Sequence, residues 1–327
     1  MSCELSGTAK FCNFAPQKIF QMKAAYIRQR LKPWILPLAM LFGALFHSAI
    51  DAMQWMVPYL IFVMLFITFC RVKPSELRPS GMIWSLLAVQ LIGSAVLFFA
   101  LRPIGLPLAQ AAFICVLCPT ATAAPVVTGM LGGSIAKVAT YSIASNLVVA
   151  LTAPFLFILA GAADTGQTFF EEFSAIASHV APLILLPLIS AFILYYVWRP
   201  AHDAVDRCQG VSFYIWAVSL LLVAGKSVSF VLSEPADAIP EMIAIALLSA
   251  LLCILQFVAG RRIGARYGDR ISAAQGLGQK NTVLAIWLTL TYLNPIASIG
   301  PAAYVLWQNS INSAQLYYKM KKTTQAR

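Results

Sequence analysis

Charge is scarce in this sequence, and acidic charge is scarcest: 12 Asp and Glu stand against 23 Lys and Arg in 327 residues, and charged residues make up 11% of the chain. An average soluble domain carries about 25%, so the sequence lacks the polar surface that would keep a chain of this size in water. Enzyme signatures are missing too. There is no H-E-x-x-H, no G-x-S-x-G, no Walker loop and no pair of carboxylates within the apolar portion. The histidines His47, His179 and His202 are scattered. No catalytic or metal-ligating set can be assembled, which argues against an enzyme, and transport would have to draw on an existing gradient. The cysteines, Cys3, Cys12, Cys70, Cys115, Cys118, Cys208 and Cys253, fall in apolar runs or in segments expected in the cytoplasm, so no disulfide framework is suggested. Cys115 and Cys118 form a C-x-x-C, but without nearby His or acidic residues they read as helix-packing residues. The first 32 residues have no uninterrupted apolar core and no small-residue cleavage site. They read as a basic cytoplasmic segment lying against anionic headgroups, not as a signal peptide.

What the chain has is hydrophobicity: 60% of its residues are hydrophobic and the mean hydropathy is +0.79. This composition predicts an all-α polytopic membrane protein. Windows of about 20 apolar residues give ten spans, near 33–48, 54–70, 81–101, 105–131, 134–161, 174–198, 211–232, 238–260, 272–292 and 295–317. The connections test that count, because basic residues concentrate on the cytoplasmic side. The N-terminus carries Lys18, Lys23, Arg28, Arg30 and Lys32, and the second connection carries Arg71, Lys73 and Arg78. Arg199 and Arg207 follow in the sixth, Arg261, Arg262, Arg266 and Arg270 in the eighth, and Lys319, Lys321, Lys322 and Arg327 at the C-terminus. The alternate connections, "HSAIDAM", "ADTGQTFFEEF", "SEPADAIPE" and "YLNPIAS", are neutral or acidic, with Arg102 the main exception. The net charge of +11 therefore reports topology, with both termini cytoplasmic, and implies no nucleic-acid partner. Short loops and the lack of eukaryotic targeting signals predict a bacterial inner membrane.

Ten spans divide into five and five, and an odd number inverts the second set, the inverted repeat of many secondary transporters. The divisions are a cytoplasmic segment 1–32, a first repeat 33–161, a second repeat 174–317 and a basic tail 318–327. Two echoes accompany the symmetry. "YSIASN" (141–146) and "YVLWQN" (304–309) both read Tyr, four residues, Asn. The fourth span holds "CPTATAAPVVTG" and the ninth holds "GLGQKNT", each a polar, helix-disrupting interruption of an apolar run. Interruptions at corresponding places in two halves point to a transporter's binding site.

In the first interruption Pro119 and Pro125 remove backbone donors, leaving carbonyls near Thr120 and Thr122 without helical partners; these should face a protein-lined, wet cavity. In the second, Gly276 and Gly278 give backbone freedom and Gln279, Lys280, Asn281 and Thr282 follow in succession. A lysine near the bilayer centre costs at least about 2.5–3.5 kcal/mol and so should face a cavity or a partner. Lys280 lies about ten residues, roughly 15 Å, from Arg270, too far to snorkel out. Lys137 can snorkel from the cytoplasmic start of the fifth span, and Lys226 can snorkel or sit in a polar pocket. Ser145 and Asn146 in the fifth span, with Gln308, Asn309 and Asn312 in the tenth, place uncharged hydrogen-bonding groups at matched depths.

On "CPTATAAPVVTGMLGG" with "YSIASN", and on "GQKNTVLAI" with "YVLWQNSINS", the chain resembles the bile acid:sodium symporter family and its wider superfamily. The span pattern agrees over roughly residues 33 to 318. The resemblance implies unwound fourth and ninth helices that cross near the midplane. It also implies a core of the third to fifth and eighth to tenth spans, a panel of the others, and a substrate between them. At three places the sequence departs from sodium-coupled members. Ala124 and Pro125 follow Thr122 and Ala123 where a Ser-Asn pair is typical, Gly276 stands in place of a glutamate, and Lys280–Asn281 in place of Gln-Asn. A carboxylate is lost and an ammonium gained where the family binds sodium. Lys280 would then substitute for the cation, holding the crossing helices through Thr120, Thr122 and backbone carbonyls. It could also attract an anionic substrate, or couple transport to protons if it released its own. The expected function is secondary transport of a small organic anion, a carboxylate or sterol-like acid, with no cofactor and with the lipid bilayer as partner. The alternatives are an exporter of a neutral or inorganic solute such as arsenite, and a receptor or scaffold on the same fold.

Overall fold

The computed structural model describes residues 38–71, 78, 80–162 and 168–325. The expected cytoplasmic segment 1–32 and the first residues of the first span lie outside them. All the named elements among the described residues are helical. In order these are α1 (38–45), α2 (His47–Asp51), α3 (Val57–Cys70), α4 (Gly81–Leu101), α5 (Leu106–Leu117), α6 (Ala124–Leu131) and α7 (Ile135–Phe157). After these come α8 (Phe169–Val197), α9 (Arg199–Arg207), α10 (Gln209–Ser233), α11 (Ile239–Arg266), α12 (Arg270–Gly278), α13 (Thr282–Tyr292) and α14 (Ile299–Gln325). Short 3-10 turns lead into α3, α11 and α14.

Five of the helical stretches are long and apolar enough to cross a membrane: Gly81–Leu101, Ile135–Gly161, Phe169–Val197, Tyr214–Ser233 and Ala236–Arg266. The protein is a helical membrane protein. In hydrocarbon every backbone N–H and C=O must be satisfied within the chain, and a helix does this locally. Prolines nevertheless stand inside α7 (Pro154) and α8 (Pro182, Pro187). Each removes one ladder bond, a loss that neighbouring helices absorb in a bundle. At the end of α7 the chain widens into a π-turn over Ile158–Ala162, where Gly161 takes φ 85°, a left-handed value glycine adopts without steric cost. The carbonyl of Ala160 there accepts from Gln110 Nε2 at 2.9 Å.

The helices pack α4 on α5, α7 and α3 on α8, α10 on α3, and α11 on α5, α12 and α14. A chain of edge-to-face rings joins α4, α5, α7 and α13: Phe98–Phe113 at 6.1 Å, Phe113–Phe157 at 5.6 Å and Phe157–Tyr292 at 5.8 Å. Aromatic pairs in this geometry add about 0.5–1.5 kcal/mol each beyond the area they bury. They tie the two short helices α5 and α13 to longer neighbours.

Helix ends and hydropathy ends do not coincide. α11 continues through Arg266 and α14 through Gln325, past the apolar windows that end near 260 and 317. Lys and Arg are good helix formers, so the helix persists after the apolar run has stopped.

Candidate functional site

Two helical runs are interrupted, α5 from α6 at 118–123 and α12 from α13 at 279–281. The interruptions meet. Thr120 and Lys280 form an antiparallel bridge, in which Asn281 N donates to Pro119 O at 2.8 Å and Ala121 N donates to Gln279 O at 3.0 Å. The two bonds are related by a local twofold that exchanges 119 with 279 and 121 with 281. Each broken segment supplies the backbone partners that the other lost.

The first break begins at Cys118, whose ψ of 139° is extended, immediately before Pro119. Pro125 takes no part in it. It sits in the first turn of α6, where the missing N–H has no helical partner in any case and the ring favours helix initiation. The second break is shorter because Asn281 caps α13 directly, its Oδ1 accepting from Leu284 N at 3.3 Å.

A helix ending inside the bundle leaves its last carbonyls unpaired, and the end of α5 is answered by three side chains, from α11, α4 and the second break. Gln256 Nε2 of α11 donates to Cys115 O at 3.2 Å, Lys280 Nζ donates to Val116 O at 2.8 Å, and Gln90 Nε2 of α4 donates to Leu117 O. Lys280 is 2% exposed. Its ammonium stands at the negative end of the α5 dipole, where a cation is favoured. Lys280 is gripped by its backbone too: its N–H donates to Gln308 Oε1 at 2.8 Å, and its carbonyl accepts from Gln308 Nε2 at 3.4 Å.

The end of α12 is closed in a similar way. Thr120 Oγ1 donates to Gly276 O at 2.7 Å and Tyr304 OH donates to Gly278 O at 2.8 Å. A Gln–Tyr pair accompanies each break: Tyr141 OH donates to Gln90 Oε1 at 2.7 Å, and Gln256 Nε2 donates to Tyr304 OH at 3.0 Å. Ser145 Oγ also donates to Gln90, at 2.9 Å, making Gln90 a hub between α4, α5 and α7.

Of the residues singled out in the sequence, Gln279, Lys280, Asn281, Thr282, Thr120, Ser145 and Gln308 are buried around this crossing. Gln279 Nε2 donates to Gln275, which in turn donates to Gln315 at 2.7 Å. Thr120 does not serve the ammonium, because its hydroxyl goes to Gly276 O. Thr122 and Asn309 are only half-buried. Asn146 is buried, but its amide turns back to Ser142 O at 2.8 Å along its own helix. Asn281 Nδ2, Thr282 Oγ1, Asn146 Oδ1 and Gln256 Oε1 are buried without a hydrogen-bond partner among the described residues. These orphans are the polar groups left to receive a ligand or water. Gln90, Gln256, Tyr141, Tyr304 and the Val116 carbonyl were not read as site components in the sequence. A glutamine in mid-span, as in "LAVQLIGS" and "CILQFVAG", is the same kind of polar interruption as Lys280 and points to the first two.

The other two lysines singled out within the spans, Lys226 and Lys137, are ion-paired. Lys226 Nζ lies 3.2 Å from Asp51, and Lys137 Nζ lies 3.1 Å from Asp269. The second pair belongs to a clamp between the α6–α7 turn and the start of α12. Ser134 N donates to Ser272 Oγ at 2.7 Å, and Ser272 N donates to Asp269 Oδ1 at 3.1 Å. Burial raises the Asp269 carboxyl, but hydrogen bonds from Ser272 and the Lys137 ammonium outweigh it and hold it below the usual carboxylate range. A group with a depressed folded pKa stabilises above its unfolded value of about 3.9. That stabilisation is lost as pH falls through the folded value. The thermal midpoint should therefore fall as the pH is lowered below about 5, and Asp269→Asn should start lower at neutral pH and show a flatter acid limb. Parallel profiles for the two proteins would show that the clamp contributes nothing.

No protein-family model matches this chain, and no curated protein matches it.

Proposed function

We propose that this protein is a secondary transporter of a small organic anion, built on the bile acid:sodium symporter plan, in which the Lys280 ammonium takes the place of a bound cation. The observation that carries the reading is the contact of Lys280 Nζ with Val116 O at 2.8 Å. A positive charge is tethered to one broken segment and satisfies the end of the other. That is the service a cation at such a crossing performs. The ten-span reading draws support from helix in each of the ten apolar intervals. The inverted-repeat reading draws support from the local twofold at the bridge and from the recurring Gln–Tyr pairs. On this reading α4 to α7 and α11 to α14 form the core, and α1, α3, α8 and α10 the panel. The basic connections face the cytoplasm of a bacterial cell.

Sodium coupling is disfavoured by charge. A sodium ion about 4 Å from the ammonium would be repelled by about 4 kcal/mol at an effective dielectric of 20, roughly a thousandfold in affinity. The ammonium is also buried and already bonded, which favours a cation-replacing role over direct attraction of substrate. The orphaned polar groups, Asn281 Nδ2 and Thr282 Oγ1 among them, are what remains for the substrate. A thermal-shift screen against organic acids identifies a binder, and its uptake is then measured in proteoliposomes with sodium or with choline outside. Equal uptake in the two media is expected. Uptake that collapses in choline would overturn the tethered-cation reading, and a binder that is never moved would favour a receptor.

A further inference from the structure

The base of the α11–α12 hairpin concentrates positive charge that the transport reading does not use. Arg261, Arg262 and Arg266 occupy the last turns of α11, Arg270 opens α12, and all four side chains are exposed. The acidic residue in this run, Asp269, is engaged by Lys137 and Ser272 and so does not neutralise them. The helices are held together here because Gly260 and Gly264 of α11 leave no space for a side chain against the backbone of Ala273 and Asp269.

Above the arginines the same helix exposes an apolar stripe. Leu247, Leu251, Ile254 and Val258 are each exposed and follow one another at steps of four, three and four, a single helix face. The next steps of that pattern land on Arg261 and Arg262, then on Ala265 and Arg266. From Leu247 to Val258 the stripe runs about 16 Å, close to half of the roughly 30 Å hydrocarbon core and thus one leaflet. A free anion would meet only the arginines. A phospholipid would lay an acyl chain along the stripe and bring its phosphodiester to the guanidinium groups, which bind phosphate oxygens in a bidentate fork.

We propose that the arginine base of the α11–α12 hairpin, with the apolar stripe above it, is a docking site for an anionic phospholipid. The headgroup bridges the end of α11 and the start of α12. Since α12 runs directly into the break at Lys280, the bound lipid steadies the half-helix that carries the crossing.

The full-length protein is reconstituted in nanodiscs of phosphatidylcholine with rising phosphatidylglycerol content, and its thermal midpoint is followed. A saturable rise is expected. Most of that rise should disappear in Arg262→Gln/Arg266→Gln, whereas Arg262→Lys/Arg266→Lys should keep only part of it, since lysine retains the charge near the surface but not the bidentate fork. Arg207→Gln, at an exposed arginine of another connection, should leave it intact. Inorganic phosphate added to pure phosphatidylcholine discs should not reproduce it. An undiminished rise in the double glutamine variant, or an equal loss in Arg207→Gln, would refute the site. The same rise with inorganic phosphate would reassign it to a soluble anion and refute the lipid.

Discussion

Lys280→Ala and Lys280→Met should each cut transport by tenfold or more, and the two variants should differ in stability. Both remove the donor to Val116 O, and leaving a buried acceptor unpaired costs about 1–3 kcal/mol. Alanine also deletes the three methylenes beyond Cβ and leaves a cavity. Comparable large-to-small changes cost about 2–5 kcal/mol. Against these losses, an ammonium no longer has to be held out of water, a relief of several kcal/mol. In Lys280→Met the relief and the lost hydrogen bond roughly offset, so its thermal midpoint should lie near wild type. In Lys280→Ala the cavity adds to the loss, and the midpoint should fall clearly. Transport should fail in both by tenfold or more, because about 1.4 kcal/mol of lost support at the crossing is already a factor of ten. Lys280→Ala should also respond to sodium where the wild type does not, since the vacated space beside Val116 O can admit a cation and no like charge repels it. Wild-type transport by Lys280→Met, or a wild-type protein stabilised by sodium as strongly as Lys280→Ala, would remove the lysine from its role as a tethered cation.

Lys280 was legible in the sequence because a charge in an apolar run is costly enough to demand an explanation. The glutamines at 90 and 256 obey the same rule with a smaller cost, so they stand out less among Ser, Thr and Asn that merely return a hydrogen bond to their own helix, as Asn146 does to Ser142. The partner of the ammonium was not legible. Val116 O is a backbone atom, left without a helical partner only because the helix ends one residue later, and no side-chain pattern marks it. The extent of the first break was misjudged through Pro125: a proline weakens a helix interior but starts a helix well, and which of these applies depends on where the preceding break falls. Lys137 stands in the first turn of α7 and Asp269 caps α12, and their pairing requires the α6–α7 turn to meet the start of α12. Hydropathy reports which residues prefer hydrocarbon, and it carries no information about which connection touches which.

Enlarging the glycines between α11 and α12 should be the most damaging change away from the crossing itself. A Cβ at Gly260 would fall on the Ala273 carbonyl oxygen and lie 2.8 Å from Ala274 Cα. At Gly264 it would fall on the Asp269 carbonyl oxygen and lie 2.9 Å from Arg270 Cα. These neighbours are backbone and have no rotamer to adopt, so the helices themselves must part. Overpacking of this kind costs about 1–3 kcal/mol at one site. Gly260→Val/Gly264→Val should cost less than twice the single changes, because one separation relieves both clashes. At Gly278 the obstructing atoms belong to the Phe257 ring, 2.5 Å from the added Cβ, and a ring can turn, so Gly278→Ala should be milder in stability. Gly93 supplies the control: its Cβ would find only Val116 Cγ1 at 3.8 Å, and Gly93→Ala in mid-helix should be neutral or stabilising by up to about 1 kcal/mol. Transport should follow the same order, since α12 is nine residues long and a tilt at its base reaches Lys280 within roughly 15 Å. If Gly260→Val left both thermal midpoint and uptake at the Gly93→Ala level, the close approach of the two helices would not be what holds the broken segment in place.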